Sequence, residues 1–249
     1  MPKIHPTAIV HPEAELGPDV EIGPYSVIGA RVVIGEGTRL LSHVVVHGPT
    51  VLGRGNVVYP FAVLGTEAQH KKRGELATAT RLSIGDENEI RESVTIHQSS
   101  KSAETRVGSF NLLMAGCHVA HDATVGDHVT IANAVQLAGH AVVRDYATFG
   151  GLAGVAQFVE VGESAFVAAG AMCEANVPPF VIVQGDRARV RALNKVGLRR
   201  RGVAEESIAH LEKAFRALFG GKVPRAAALD ALDVSDPFVR ALKEALTAR

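Results

Sequence analysis

Tryptophan is absent from this chain, and aromatic residues make up only 5% of it. A core built without large rings has to be filled by small and branched aliphatics, and these bring the hydrophobic share to 47%. Cysteine is scarce too. Two residues, Cys117 and Cys173, cannot make the disulfide framework of a small secreted domain, so a reducing cytoplasm is the expected compartment. Lys+Arg and Asp+Glu balance at 26 each, which leaves no global field to recruit nucleic acid or anionic lipid. No apolar run approaches the roughly 20 residues of a membrane span. The opening MPKIHPTAIVHPEAEL lacks a basic segment followed by an apolar core, so it does not read as a secretion signal. What remains is a water-exposed globular chain without charge bias.

A repeat fills most of it. Every sixth residue from Ile4 is aliphatic: Val10, Leu16, Ile22, Ile28, Ile34 and onward to Leu64. The register resumes over Ile84, Ile90 and Ile96, and again from Val107 to Val167. Two positions earlier sits a small or branched partner, as at Ala8, Ser26, Thr38, Ala123, Ala147 and Ala165, and glycine often follows. Residues two apart on a strand share a face, so both members of each pair point inward. Six residues make one short strand and a corner, and three such sides close a triangular coil of about 18 residues. A lumen that narrow explains the missing rings. The segments 65–83 and 97–106 break the register and read as loops leaving the prism, where binding residues usually sit.

Beyond Val167 the pattern fades, and Pro178–Pro179 mark a junction. The period then shifts toward 3.6, with helices expected over about 188–200, 203–220 and 235–249. The division is therefore 1–184 for a parallel β-helix and 185–249 for a helical domain. The second helix presents Ile208, Leu211, Phe215 and Leu218 on one face. In the third, Ser235 or Asp236 is the N-cap and Pro237 stands in the first turn.

Chemistry concentrates at outward corners. His118 precedes the inward Val119 and faces out, and His121 and Asp122 follow at the corner, with His140 at the equivalent corner of the next coil. An imidazole beside a carboxylate is a common general-base arrangement near neutral pH. Cys117 and Cys173 both fall in the inward register, so neither reads as a nucleophile. Three alternatives stay open on the residues alone: a zinc enzyme using His97, His118 and His121, a solenoid that only binds, and an ordinary solvated histidine cluster. The spacing His118-x2-His121 suits one tetrahedral ion poorly. HKKRGE (70–75) and the stretch 187–202, with Arg187, Arg189, Arg191, Lys195, Arg199, Arg200 and Arg201, are locally basic. A diphosphate and an acidic carrier protein would each match them.

The segments IGPYSVIG (22–29), VYPFAVLG (58–65), IGDENEIRESVTIH (84–97), the run 108–140 containing CHVAHDATVG, VPPFVIVQGD (177–186) and GLRRRG (197–202) occur in order. Together they resemble the UDP-N-acetylglucosamine acyltransferase family, hexapeptide-repeat enzymes of the first step of lipid A biosynthesis. The resemblance covers essentially the whole chain. It implies a left-handed parallel β-helix with a helical tail, assembled as a homotrimer with sites between adjacent prisms. It also implies transfer of an (R)-3-hydroxyacyl group from acyl carrier protein to the sugar 3-position, without metal or cofactor. His121 is then the general base and Asp122 its neighbour. Gly139 supplies a backbone N–H to the oxyanion, with His140 beside the base. Gln69, Lys72, His118 and Gln157 line the sugar and acyl groove, and Asn194, Arg200 and Arg201 match nucleotide and phosphopantetheine contacts. Three positions depart from the family pattern: His70 replaces an Asp, Ala156 a His, and Ala169 a residue often Gly at the end of the acyl groove. The His70 departure leaves open a 3-amino sugar acceptor, which would give an amide in place of an ester.

Overall fold

A computed structural model describes residues 1–69, 80–221 and 223–247 of the 249. It contains 28 short strands, β1 (Lys3–Ile4) to β28 (Arg189–Leu193), and then four helices. The strands stack into three faces of eleven, nine and eight strands, parallel throughout except for β28. Partners in neighbouring coils lie 18 residues apart, as between Lys3 and Glu21. At the two predicted excursions the offset grows to 32, between Arg54 and Asp86, and to 23, between Thr95 and His118. The faces close into a parallel β-helix whose lumen holds the hexad aliphatics.

From Ile22 onward those inward residues are fully buried. Ile4 is not: it is 47% exposed, because the first coil has no coil beneath it. Each corner costs backbone freedom. Among the described residues eighteen non-glycine residues adopt positive φ, nearly all at these corners, among them Asp122 and His140, both at 60°. Buried polar groups are used to join coils. Asn56 Oδ1 accepts from the Asn88 backbone and side chain, and Asn88 Oδ1 accepts from Asn111 N at 3.0 Å. This ladder satisfies inward polar atoms that would otherwise be costly.

The expected helix over 188–200 is half strand. β27 (Val181–Gln184) is the last strand in parallel register, and β28 returns antiparallel to it. Ala188 and Val190 pack against the prism core, while Arg189 and Arg191 are exposed between them, a period of two. The bare edge of β27 outcompetes helix propensity there. Only at Asn194 does α1 (Lys195–Arg200) begin, with Asn194 Oδ1 accepting from Gly197 N at 3.0 Å. The second expected helix is α2 (Glu205–Phe219), with Ile208, Leu211 and Leu218 buried and Phe215 partly so. A short α3 (Arg225–Asp230) intervenes before α4 (Pro237–Thr247), whose cap is Asp236: its Oδ1 accepts from Phe238 N at 2.9 Å. These helices gather around Phe180, Leu198 and Leu242 in a second core at the end of the prism. Among the described residues no helix is long and apolar enough to cross a membrane.

Candidate active site

Four strands of the nine-stranded face form the wall of a groove of about 580 Å³: β17 (His118–Val119), β20 (Gln136–Leu137), β23 (Gly154–Val155) and β26 (Met172–Cys173). Its far wall is the corner beyond that face, where Ala120, His121, Ala138, Gly139 and Ala156 lie. Gln69, His97 and His118 complete the end near the histidines. The hexad register puts these side chains here because every strand residue before an inward aliphatic must point out.

At the corner, His121 Nδ1 lies 2.7 Å from Asp122 Oδ2. The carboxylate is held from several sides. Ser100 donates to it from its backbone N at 3.0 Å and from Oγ at 2.6 Å, and Ser102 N donates at 2.7 Å. Lys101 N donates at 3.1 Å, and Asp122 N donates to Thr105 Oγ1 at 2.7 Å. Burial by itself raises the Asp122 pKa, but the hydrogen bonds from Ser100, Ser102 and His121 outweigh it and hold the carboxyl well below the usual range. A permanent anion at Nδ1 fixes the tautomer with that nitrogen protonated, so the ring's other nitrogen is the basic one. The Cε1–Nε2 edge of the ring rests against Gly139, where an added Cβ would fall 2.6 Å from Cε1 and 2.8 Å from Nε2. Gly139 is itself buried on the groove wall, and no acceptor among the described residues takes its N–H.

His140 Nε2 approaches the same Asp122 oxygen at 3.5 Å, and its ring stacks on Phe158 with centroids 4.7 Å apart. His118 is fixed by Thr95 Oγ1 at 2.7 Å and meets His97 edge to face. Burial, with the nearby His118 and His121, pushes the His97 pKa down to about 4, and burial lowers that of His118 as well. Both are therefore neutral hydrogen-bonding walls at pH 7. Cys173 borders the groove, but burial pushes its thiol up to about 11, and Cys117 to about 12, so neither offers a thiolate.

The zinc alternative placed His97, His118 and His121 together. The three ligand atoms that instead converge within 4.8 Å belong to His121, Asp122 and His140. Asp122 shares its oxygens among serine and amide donors and His121.

A second groove, of about 540 Å³, lies on the eleven-stranded face and contains Asn194, Arg200 and Arg201 with Thr130, Tyr146 and Phe166. Arg201 stacks over Tyr146 at 4.1 Å, donates to Ser164 Oγ at 2.9 Å and pairs with Glu163. Asn194 is buried, with Nδ2 donating to Ser164 O at 2.9 Å.

Thus Gln69, His118, His121 and Gly139 share one groove, with Asp122 and His140 directly behind. Asn194, Arg200 and Arg201 share another groove on a different face of the same chain. Gln157 and Ala169 are exposed and line neither. His70 and Lys72 lie outside the described residues. Ser100, Ser102 and Thr105, which hold Asp122, carried no signal beyond the polar turn composition of SSKSAET.

Two family models match the chain. One, described as UDP N-acetylglucosamine O-acyltransferase, domain 2, covers residues 176–248. The other, bacterial transferase hexapeptide (six repeats), covers residues 1–36. An acyl-(acyl-carrier-protein)–UDP-N-acetylglucosamine O-acyltransferase from Synechocystis is 48% identical over 244 residues, spanning 96% of this chain and 87% of that protein. One from Gloeothece citriformis is 46% identical over 207 residues, 82% of this chain and 74% of the relative. Among solved structures, the UDP-N-acetylglucosamine O-acyltransferase of Moraxella catarrhalis superposes with a TM-score of 0.92 at 37% identity, over 98% of this chain and 96% of that one. The Arabidopsis UDP-N-acetylglucosamine acyltransferase gives 0.85 at 34%, over 97% and 95%. With a relative so similar over nearly its full length, and with both the hexapeptide solenoid and the C-terminal segment matched, the chain belongs to the acyl-(acyl-carrier-protein)–UDP-N-acetylglucosamine O-acyltransferase family.

Proposed function

We propose that this enzyme transfers an (R)-3-hydroxyacyl group from acyl carrier protein to the 3-hydroxyl of UDP-N-acetylglucosamine, the first step of lipid A biosynthesis, in the cytoplasm. One observation carries the reading. A carboxylate-oriented imidazole and a buried backbone N–H with no acceptor among the described residues lie against each other on one groove wall. His121 Nε2 takes the proton of the acceptor hydroxyl as its oxygen attacks the thioester carbonyl. Gly139 N–H stabilises the resulting oxyanion, a contribution of about 3–4 kcal/mol for one preorganised donor. Collapse breaks the C–S bond and expels the carrier's thiolate, which takes its proton from the imidazolium. The steps need neither metal nor cofactor, because base, oxyanion donor and leaving-group acid all come from the chain.

The two grooves support a homotrimer. Asn194, Arg200 and Arg201 suit a nucleotide diphosphate, yet on one chain they sit on a different face from His121. Packing prisms side by side brings one copy's eleven-stranded face toward the next copy's His121 groove, and each site then takes a wall from both. The test joins the two claims. Chelator-treated protein is expected to show three times the chain mass by light scattering at micromolar concentration and to acylate UDP-N-acetylglucosamine. A monomer, or a trimer that needs added metal for turnover, overturns the reading.

A further inference from the structure

The basic stretch 187–202 is divided by the fold in a way its sequence does not show. Four of its cations have carboxylates: Arg187 with Glu174 at 3.4 Å, Lys195 with Glu212 at 3.4 Å, Arg199 with Glu205 at 2.6 Å, and Arg201 with Glu163. Arg200 lies in the second groove. Arg189 and Arg191 remain. Both are exposed on β28, and neither guanidinium has an ion pair or hydrogen bond among the described residues, in a chain of zero formal charge. β28 is also the last strand of the eleven-stranded face, so one of its edges has no strand beside it.

This edge is continuous with the catalytic groove. After β27 the chain crosses the end of the nine-stranded face, where Asp186 bridges to Met172 and Ala188 N donates to Met172 O at 2.7 Å. Met172, Glu174 and Asp186 form the end of the groove remote from the histidines. The strand ladder Met172–Gly154–Gln136–His118 then leads back in three steps, about 14 Å at the usual strand spacing, to the coil that carries His121. A protein seated on β28 would thus have a tethered thioester arm at the groove mouth, within reach of His121.

We propose that Arg189 and Arg191 form the docking surface for the acidic carrier protein that delivers the acyl thioester. The proposal rests on the acyl-transfer reading above and adds where the donor sits. Guanidinium groups match carboxylates bidentately, and exposed charges at an interface rim act mainly through association rate and salt dependence. Charge on a strand edge with no strand beside it also discourages edge-to-edge aggregation. That role makes a different forecast, so the experiment separates the two.

The full-length enzyme carrying Arg189→Glu and Arg191→Glu is assayed with two donors, the carrier-protein thioester and the same acyl group on free pantetheine. The KM for the carrier thioester is expected to rise about tenfold or more and to lose the salt dependence seen in the unaltered enzyme. Turnover of acyl-pantetheine and the KM for the UDP-sugar stay within about twofold, and Arg189→Lys with Arg191→Lys keeps most carrier affinity. An unchanged carrier KM overturns the proposal, as does an equal loss with both donors. A raised KM for the UDP-sugar alone assigns the arginines to the nucleotide, and aggregation with unchanged kinetics in the soluble fraction assigns them to edge protection. Should the Glu variant fail to fold, Arg189→Gln with Arg191→Gln gives the same readings with a smaller shift. If the unaltered enzyme uses neither donor, the acyl-transfer reading itself fails.

Discussion

His121→Ala is expected to lower kcat by at least about a thousandfold, at the upper end of what a positioned general base contributes. Among the described residues the groove holds no substitute. His118 is tied to Thr95, His97 is buried with its pKa pushed down to about 4, and His140 stands behind the carboxylate, against Phe158. The fold should survive, because the His121 ring lines the groove outside the lumen, and the inward residues of that coil, Val119 and Ala123, are untouched. Steady-state turnover with the carrier-protein donor, beside circular dichroism and light scattering, checks this. Turnover within about tenfold of wild type, in a folded protein of unchanged mass by light scattering, would remove His121 from the role of base.

Gly139→Ala is expected to be nearly as damaging, for a steric reason. The added Cβ would fall 2.6 Å from His121 Cε1 and 2.8 Å from Nε2, so the imidazole must move. Displacing a catalytic group by an ångström can cost about a hundredfold, and the oxyanion donor shifts with it. Gly139 does not occupy the left-handed region, so alanine meets a collision there without backbone strain. The expected signature is a fall in kcat of about a hundredfold with little change in thermal midpoint. A normal kcat would mean that the ring has room to retreat and that its present seat is not the working one.

The solenoid was legible because a lumen of fixed width imposes one rule on every coil: inward positions take aliphatics, with Phe149 an inward ring, and no charges. That rule located the corners with His121, Asp122 and His140, as well as both excursions; Gly139 came from the family resemblance. It could not supply the serine and amide cradle around Asp122, since backbone N–H groups carry no sequence signal. Residues 188–193 misread as helix because Arg, Ala and Leu favour helices locally, while the exposed edge of β27 offered ladder hydrogen bonds that local propensity does not count. The basic residues were found, but a period of six does not say which prism face a segment after the last coil will join. That is why Asn194, Arg200 and Arg201 came to lie away from the histidines. Ala169, read as the end of the acyl groove, sits exposed at the corner preceding β26, while the outward Met172 beyond it lines the groove.

Delivery of an acyl group to a sugar hydroxyl is the step on which the proposed mechanism turns. Offering the enzyme one 3-hydroxyacyl carrier-protein thioester together with equal amounts of UDP-N-acetylglucosamine and its 3-amino analogue tests it most directly, with products separated by mass and by lability to alkali. The alkali-labile ester on UDP-N-acetylglucosamine is expected to predominate, and His70→Asp is expected to leave that preference unchanged. An alkali-stable amide as the main product, reversed by His70→Asp, would contradict it.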